Sequence, residues 1–206
     1  MNFRSGQLLF GVSSTQLSLP NELRSPEGRI LEVPCGPMGM CPMAAEVTIG
    51  CEAGVCDPAP RTLSVPVGDV VDFDAYSADL RELFREVDTI EVRQIDYAVT
   101  LNTLTVDLDR IELFWGPEGA IDVDPAMGVT PLGSVPVLQA RTTPAGQVEL
   151  DGAGNAAMGE YLVSTSRRVR FFARTQVDLR PGDPFPEGEL TVAVVLAVTA
   201  TGQVIN

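Results

Sequence analysis

The sequence predicts a mainly β protein: an antiparallel β-sandwich, jelly-roll-like or immunoglobulin-like, with one short amphipathic helix. Three observations predict it. Pro and Gly interrupt the chain at short intervals, as turns do between short strands. Most segments between them alternate apolar and polar residues with the period of a half-buried strand. Strand–helix–strand alternation and a glycine-rich phosphate fingerprint are both missing, which sets α/β folds aside. An immunoglobulin domain proper is disfavoured, because the single Trp, Trp115, follows all four Cys and no Cys…Trp…Cys order exists.

Taken in order, the early candidate strands are residues 7–12, 16–19, 29–33, 45–49 and 61–67. A helix is predicted over residues 74–87, where Tyr76, Leu80, Leu83, Phe84 and Val87 recur at spacings of three and four behind Asp74 as N-cap. In residues 89–115, Ile95, Tyr97, Val99 and Leu101 alternate, then Leu104, Val106 and Leu108. A tight turn at Asn102 would make this a long antiparallel hairpin. Ile90 and Val92 are out of phase with Ile95, as Leu108 is with Ile111, so bulges or a change of sheet are expected there. Short strands follow at 135–140 and 147–150. Residues 169–179 and 190–198 alternate again, the second run apolar enough on both faces to be central. The Pro-rich link between them reads as an exposed loop. Two parts of one structural unit are expected: residues 1–60, Cys-bearing strands and a loop packed on the rest, and residues 61–206, the sandwich.

Composition narrows the chemistry. The net charge is -14, from 28 acidic residues against 14 basic ones, all Arg. Such a balance disfavours nucleic acid and anionic membrane surfaces, which need a basic patch. The chain has no His, so Ser-His-Asp and Cys-His catalysis and His-ligated metals are excluded. No stretch reaches the ~20 apolar residues of a membrane-spanning helix. Residues 8–12 are too short for an export signal.

All four Cys fall in one Gly/Pro-rich stretch: Cys35, Cys41, Cys51 and Cys56. Neither close pair has the CxxC spacing of a zinc knuckle, so disulfides are the expected state, with three connectivities open. Local pairing would close Cys35–Cys41 and Cys51–Cys56; nested pairing would close Cys35–Cys56 and Cys41–Cys51. Disulfides imply an extracytoplasmic location: periplasm, outer surface or secreted. The alternative is a soft-metal site, because Cys35, Met38, Met40, Cys41 and Met43 offer sulfur ligands of the kind that select Cu(I). Acidic stretches are weighed as Ca²⁺ loops: Asp69, Asp72, Asp74 and Asp79, then Asp122 with Asp124, and Asp151 with Asn155. None has the EF-hand pattern, and helix capping explains them better. Glu91, Asp96, Asp107 and Glu112 would be the carboxylates of a sugar-processing sheet, but aromatics are only 6% of the chain.

The order of a Cys-bearing N-terminus, "VDFDAYSADLRELFREVDTIEVRQIDYAVTLNTL", "IELFWGPEG" and a terminal "GELTVAVVLAVTATG" resembles uncharacterised exported or lipoprotein-type β-sandwich proteins of GC-rich Gram-negative bacteria such as myxobacteria. That resemblance spans residues 60–202. It implies an extracytoplasmic location and a signal or lipid-anchor segment preceding the sequence, and it carries no catalytic residues. The expected function is therefore non-enzymatic and without a cofactor: structure, adhesion or binding of a protein partner, with self-association by strand pairing. A Cu(I) or Ca²⁺ protein and a carbohydrate-binding module are the alternatives.

Overall fold

A computed structural model describes residues 2–17, 19–42, 49–58, 61–75 and 84–204. The strands are β1 (Asn2–Arg4), β2 (Leu8–Ser13), β3 (Gly50–Glu52), β4 (Val55–Asp57), β5 (Arg61–Asp72), β6 (Phe84–Asn102), β7 (Ile111–Pro117), β8 (Thr130–Val135), β9 (Ala145–Gln147), β10 (Glu149–Leu150), β11 (Arg168–Val177) and β12 (Glu189–Val204). The helices are α1 (Ser14–Leu17) and α2 (Gly152–Ser164). One sheet runs β2–β12–β6–β9, with β1 continuing the β2 edge along β12; the other runs β5–β11–β7–β8–β10. All these pairings are antiparallel. This is the strand order of a jelly roll, in which β2, β12, β6 and β9 lie over β5, β11, β7 and β8.

Period-two alternation builds the core between the sheets. Leu63, Val65 and Val67 of β5, Leu113 of β7 and Phe171 of β11 meet Ile95 of β6 and Val194 and Leu196 of β12, all buried. The phase slip between Val92 and Ile95 is a bulge: Val92 and Gln94 pair with the consecutive residues Val198 and Ala197. The extra residue returns Ile90 and Val92 to the inner face, where both are buried.

Several expectations are corrected. The 89–115 block is no hairpin, because β6 and β7 belong to different sheets. The amide of Asn102 donates to the carbonyls of Gln139 (3.0 Å) and Thr142 (2.9 Å) and accepts from the Leu104 N–H. It thereby fixes the exit of β6, and the chain crosses the sandwich with Leu104 and Leu108 buried. Of the predicted helix at 74–87, residues 76–83 lie outside the described residues, while Phe84 and Val87 are in β6. Backbone pairing with Val204 and Gly202 of β12 overrides the helical spacing there. The strand expected at 16–19 is instead the turn of α1, with residue 18 outside the described residues. Residues 29–33 make only isolated bridges, and of 45–49 only Ile49 is described. Of the strand placed at 135–140 only Val135, the last residue of β8, is in a strand, with Leu138 making an isolated bridge to Leu108, and 147–150 divides between β9 and β10 on opposite sheets.

The Pro-rich link is no free loop. Phe185 is buried, Ile30 donates its N–H to the Asp183 carbonyl, and Gly182 donates its N–H to the Ile30 carbonyl. Phe185 also donates its N–H to Gly28, and Arg24 lies 5.3 Å over the Phe185 ring. Helix α2 went unpredicted because its three Gly depress helix propensity. Two of them are needed for close approach: a Cβ at Gly154 would lie 1.6 Å from the Pro131 carbonyl, and one at Gly159 2.3 Å from that of Ile90. Seated there, α2 lets Asn155 bond both backbone groups of Val92. That covers the edge of β6 beyond the point where β9 stops pairing.

Candidate functional site

The cysteine stretch forms its own small cluster. A two-residue turn at Ala53 (φ 49°) and Gly54 (φ 86°) joins β3 to β4, the conformation that left-handed turn positions demand. A third segment lies alongside: Cys56 donates its N–H to Val33, and Cys35 donates to Gly54. Across this frame run Cys35–Cys51 and Cys41–Cys56. The pairing is the crossed one, neither local nor nested. The two bridges touch, with the Sγ atoms of Cys35 and Cys41 4.0 Å apart. Leu23 and Ile49 pack beside them as a core separate from that of the sandwich.

The sulfur atoms of Cys35, Cys41 and Cys56 lie within 4.8 Å of one another. As disulfides they are not thiolates, the species that binds metal, so a Cu(I) site here would first need both bridges reduced. Met38 and Met40 are exposed, at 94% and 57%, and Met43 lies outside the described residues. The two bridges fit an oxidising compartment. Among the described residues no helix is long and apolar enough to cross a membrane.

The acidic candidates are dispersed. Asp151 caps α2 through Gly154 N–H (2.6 Å), and Asp124 caps a short 3-10 turn through Ala126 N–H (2.8 Å). Asp74 pairs with Arg167 at 2.7 Å, and Asp72 accepts from the Asp74 N–H. Asp69 is exposed on β5, and Asp79 lies outside the described residues. Of the carboxylates weighed for sugar processing, Asp96 faces Arg4, Glu91 faces Arg93, Asp107 accepts from Ala140 N–H, and Glu112 accepts two bonds from Arg174.

The outer face of the β5–β11–β7–β8 sheet carries a feature the sequence did not announce. Phe114 and Phe172 point outward there and are covered by residues 116–129, with Ala120 and Val129 buried against them. The cover is latched by Asp122, which accepts from the Ser64 hydroxyl (2.8 Å) and from its neighbour Val123 N–H (2.6 Å). The Ser64 bond, and secondarily the Val123 bond, holds the Asp122 carboxyl below the ordinary carboxylate range. Beyond the cover an open groove of about 640 Å3 is lined by Thr62, Asp109, Arg110, Glu112, Arg174 and Gln176. Arg174 stacks 4.6 Å over Phe114 while paired with Glu112. The signal missed was the outward pair of Phe on neighbouring strands, Phe172 opposite Phe114. No family model, curated protein or solved structure matches the chain.

Proposed function

We propose that this chain is an extracytoplasmic, disulfide-stapled jelly-roll module that works through its surfaces, in structure, adhesion or the binding of a protein partner. The observation that carries the proposal is the pair of crossed bridges, Cys35–Cys51 and Cys41–Cys56, on a frame joined to the sandwich through the Ile30–Asp183 contacts. Such bridges persist where thiols are oxidised, and both lie within a strand-poor arm, holding it together beside a fold that already has a full core. The resemblance to exported β-sandwich proteins of Gram-negative bacteria supports the same placement. Labelling of intact native cells with a membrane-impermeant maleimide tests it. Labelling only after a reductant is expected; free thiols in unreduced cells would overturn the reading.

A second reading, a carbohydrate-binding module, is favoured by the open polar groove around Arg110, Glu112 and Arg174. It predicts retention on at least one member of a broad glycan panel, lost in Arg174→Ala. No retention on any glycan rejects it.

A further inference from the structure

The second outer face, that of the β2–β12–β6–β9 sheet, is built differently. Its central strand β12 points Thr191, Ala193, Val195, Ala197 and Thr199 away from the core, opposite in phase to Val192, Val194, Leu196 and Val198; of these outward residues Ala193 is itself buried, at 4%, and the other four are half-buried. The registers set what flanks them. Thr191 lies between Gly11 of β2 and Leu101 of β6. Ala193 lies between Leu9 and Ala98, with Ala145 of β9 beyond. Ala197 lies between Arg4 of β1 and Gln94. Leu9 is 50% exposed and Leu101 37%.

The two flanks of β12 are complementary in size and in charge. A twofold axis parallel to β12 lays β12 on its own copy and exchanges the flanks. Leu101 then faces Gly11, Leu9 faces Ala98 and Ala145, and Arg4 faces Gln94 beside Asp96 and Glu91. We infer that this face is the interface with a second copy of this chain, giving a twofold dimer of face-packed sheets.

Two further facts favour that occupant. The chain carries -14, so copies repel in general, yet over the shared rows Arg4 and Arg93 balance Asp96 and Glu91, and the exposed acid Asp88 lies beyond them toward the β6 end. The ~4.8 Å strand spacing and ~3.3 Å rise give four strands over the shared rows roughly 500 Å2 in projection. With side-chain relief and the longer β6 and β12 ends, that approaches the ~800 Å2 per partner of stable complexes. Pairing at the β5 edge is disfavoured by Pro66, which lacks an N–H, and by the left-handed Gly68 (φ 66°).

The inference rests on the proposed function only in saying what the module binds. Sedimentation of the intact chain from micromolar to millimolar concentration tests it. The expected species has twice the 22.0 kDa chain mass. Ala98→Arg, on the outer face, should weaken association at least ~30-fold, while its melting curve matches that of the wild type at concentrations low enough for both to be monomeric. Arg4→Glu should weaken it about 10-fold, and adding Asp96→Arg should restore it. A monomer at every concentration overturns the interface, as does a dimer that survives Ala98→Arg and Arg4→Glu in folded protein. Either result leaves the whole-cell thiol test of the proposed function standing.

Discussion

The two outer faces of the sandwich solve opposite problems. On the β5–β11–β7–β8 sheet the strands point two Phe outward, and the chain spends residues 116–129 covering them. On the β2–β12–β6–β9 sheet the central outward residues are Thr, Ala and Val, half-buried apart from the buried Ala193, and the more exposed side chains are Leu9 of β2 and Leu101 of β6. The contrast teaches that outward residue size decides which face the chain must cover itself. Large outward aromatics demand a cover because each carries ~2 kcal/mol or more of burial. A small-residue face can stay in water, or accept a flat partner.

Phe172→Ala should break the covered face and have the largest effect. Phe172 is 1% exposed beneath Ala120 and Val129, so its truncation should cost about 3–5 kcal/mol in urea unfolding. A loss below ~1 kcal/mol would mean that the cover is not a core. Next is the pair Cys35→Ser with Cys51→Ser. A bridge over a separation of 16 residues contributes about 3 kcal/mol by loop closure. The jelly-roll far-UV signal should persist, because neither outer face depends on that bridge. Loss of the sheet signal would show that the arm, not the sandwich core, carries the fold.

Much of this was legible in sequence because strand alternation is written by the strand itself. β2, β5, β11 and β12 follow from their own residues, and the bulge at Val92–Gln94 follows from a slip in phase. What was not legible depends on partners far along the chain. Helix α2 needs Gly154 and Gly159 to pass the carbonyls of Pro131 and Ile90, so the residues that argue against a helix locally are those that let it dock. The sheet change after Asn102 rests on carbonyls at Gln139 and Thr142, which no local pattern reveals. The crossed disulfides share that character, since spacing alone leaves all three connectivities open. The pairing of Leu9 with Ala98 across β12 likewise exists only once the register is known.

Two glycines sharpen the comparison at smaller cost. A Cβ at Gly116 would lie 2.8 Å from Cγ2 of Val129 and 3.3 Å from Cβ of Ala120. Gly116→Ala should therefore overpack the cover and lose about 1–3 kcal/mol. At Gly11, on the open face, the nearest neighbour of a Cβ is the Leu190 carbonyl at 3.4 Å, an ordinary contact. Gly11→Ala should leave unfolding of the monomer within ~0.5 kcal/mol or raise it. Equal penalties at the two sites would erase the distinction between a closed and an open face.

The smallest effect lies in the latch of the cover. The Ser64 hydroxyl bond holds the Asp122 carboxyl below its ordinary range, with the Val123 N–H adding to it. A carboxyl depressed in the folded state adds stability above its unfolded value and loses it as pH falls through the folded value. Ser64→Ala removes the largest cause, so the variant should be less stable near neutrality, by at most about 0.5 kcal/mol at this exposed site. The gap should start to close as pH falls below ~4, the ordinary carboxyl value, and vanish only once the pH is below the depressed value of the folded wild-type Asp122. Thermal melts of the two proteins across that range are the measurement. A gap that stays constant with pH would assign the Ser64 contact to packing and not to the charge on Asp122.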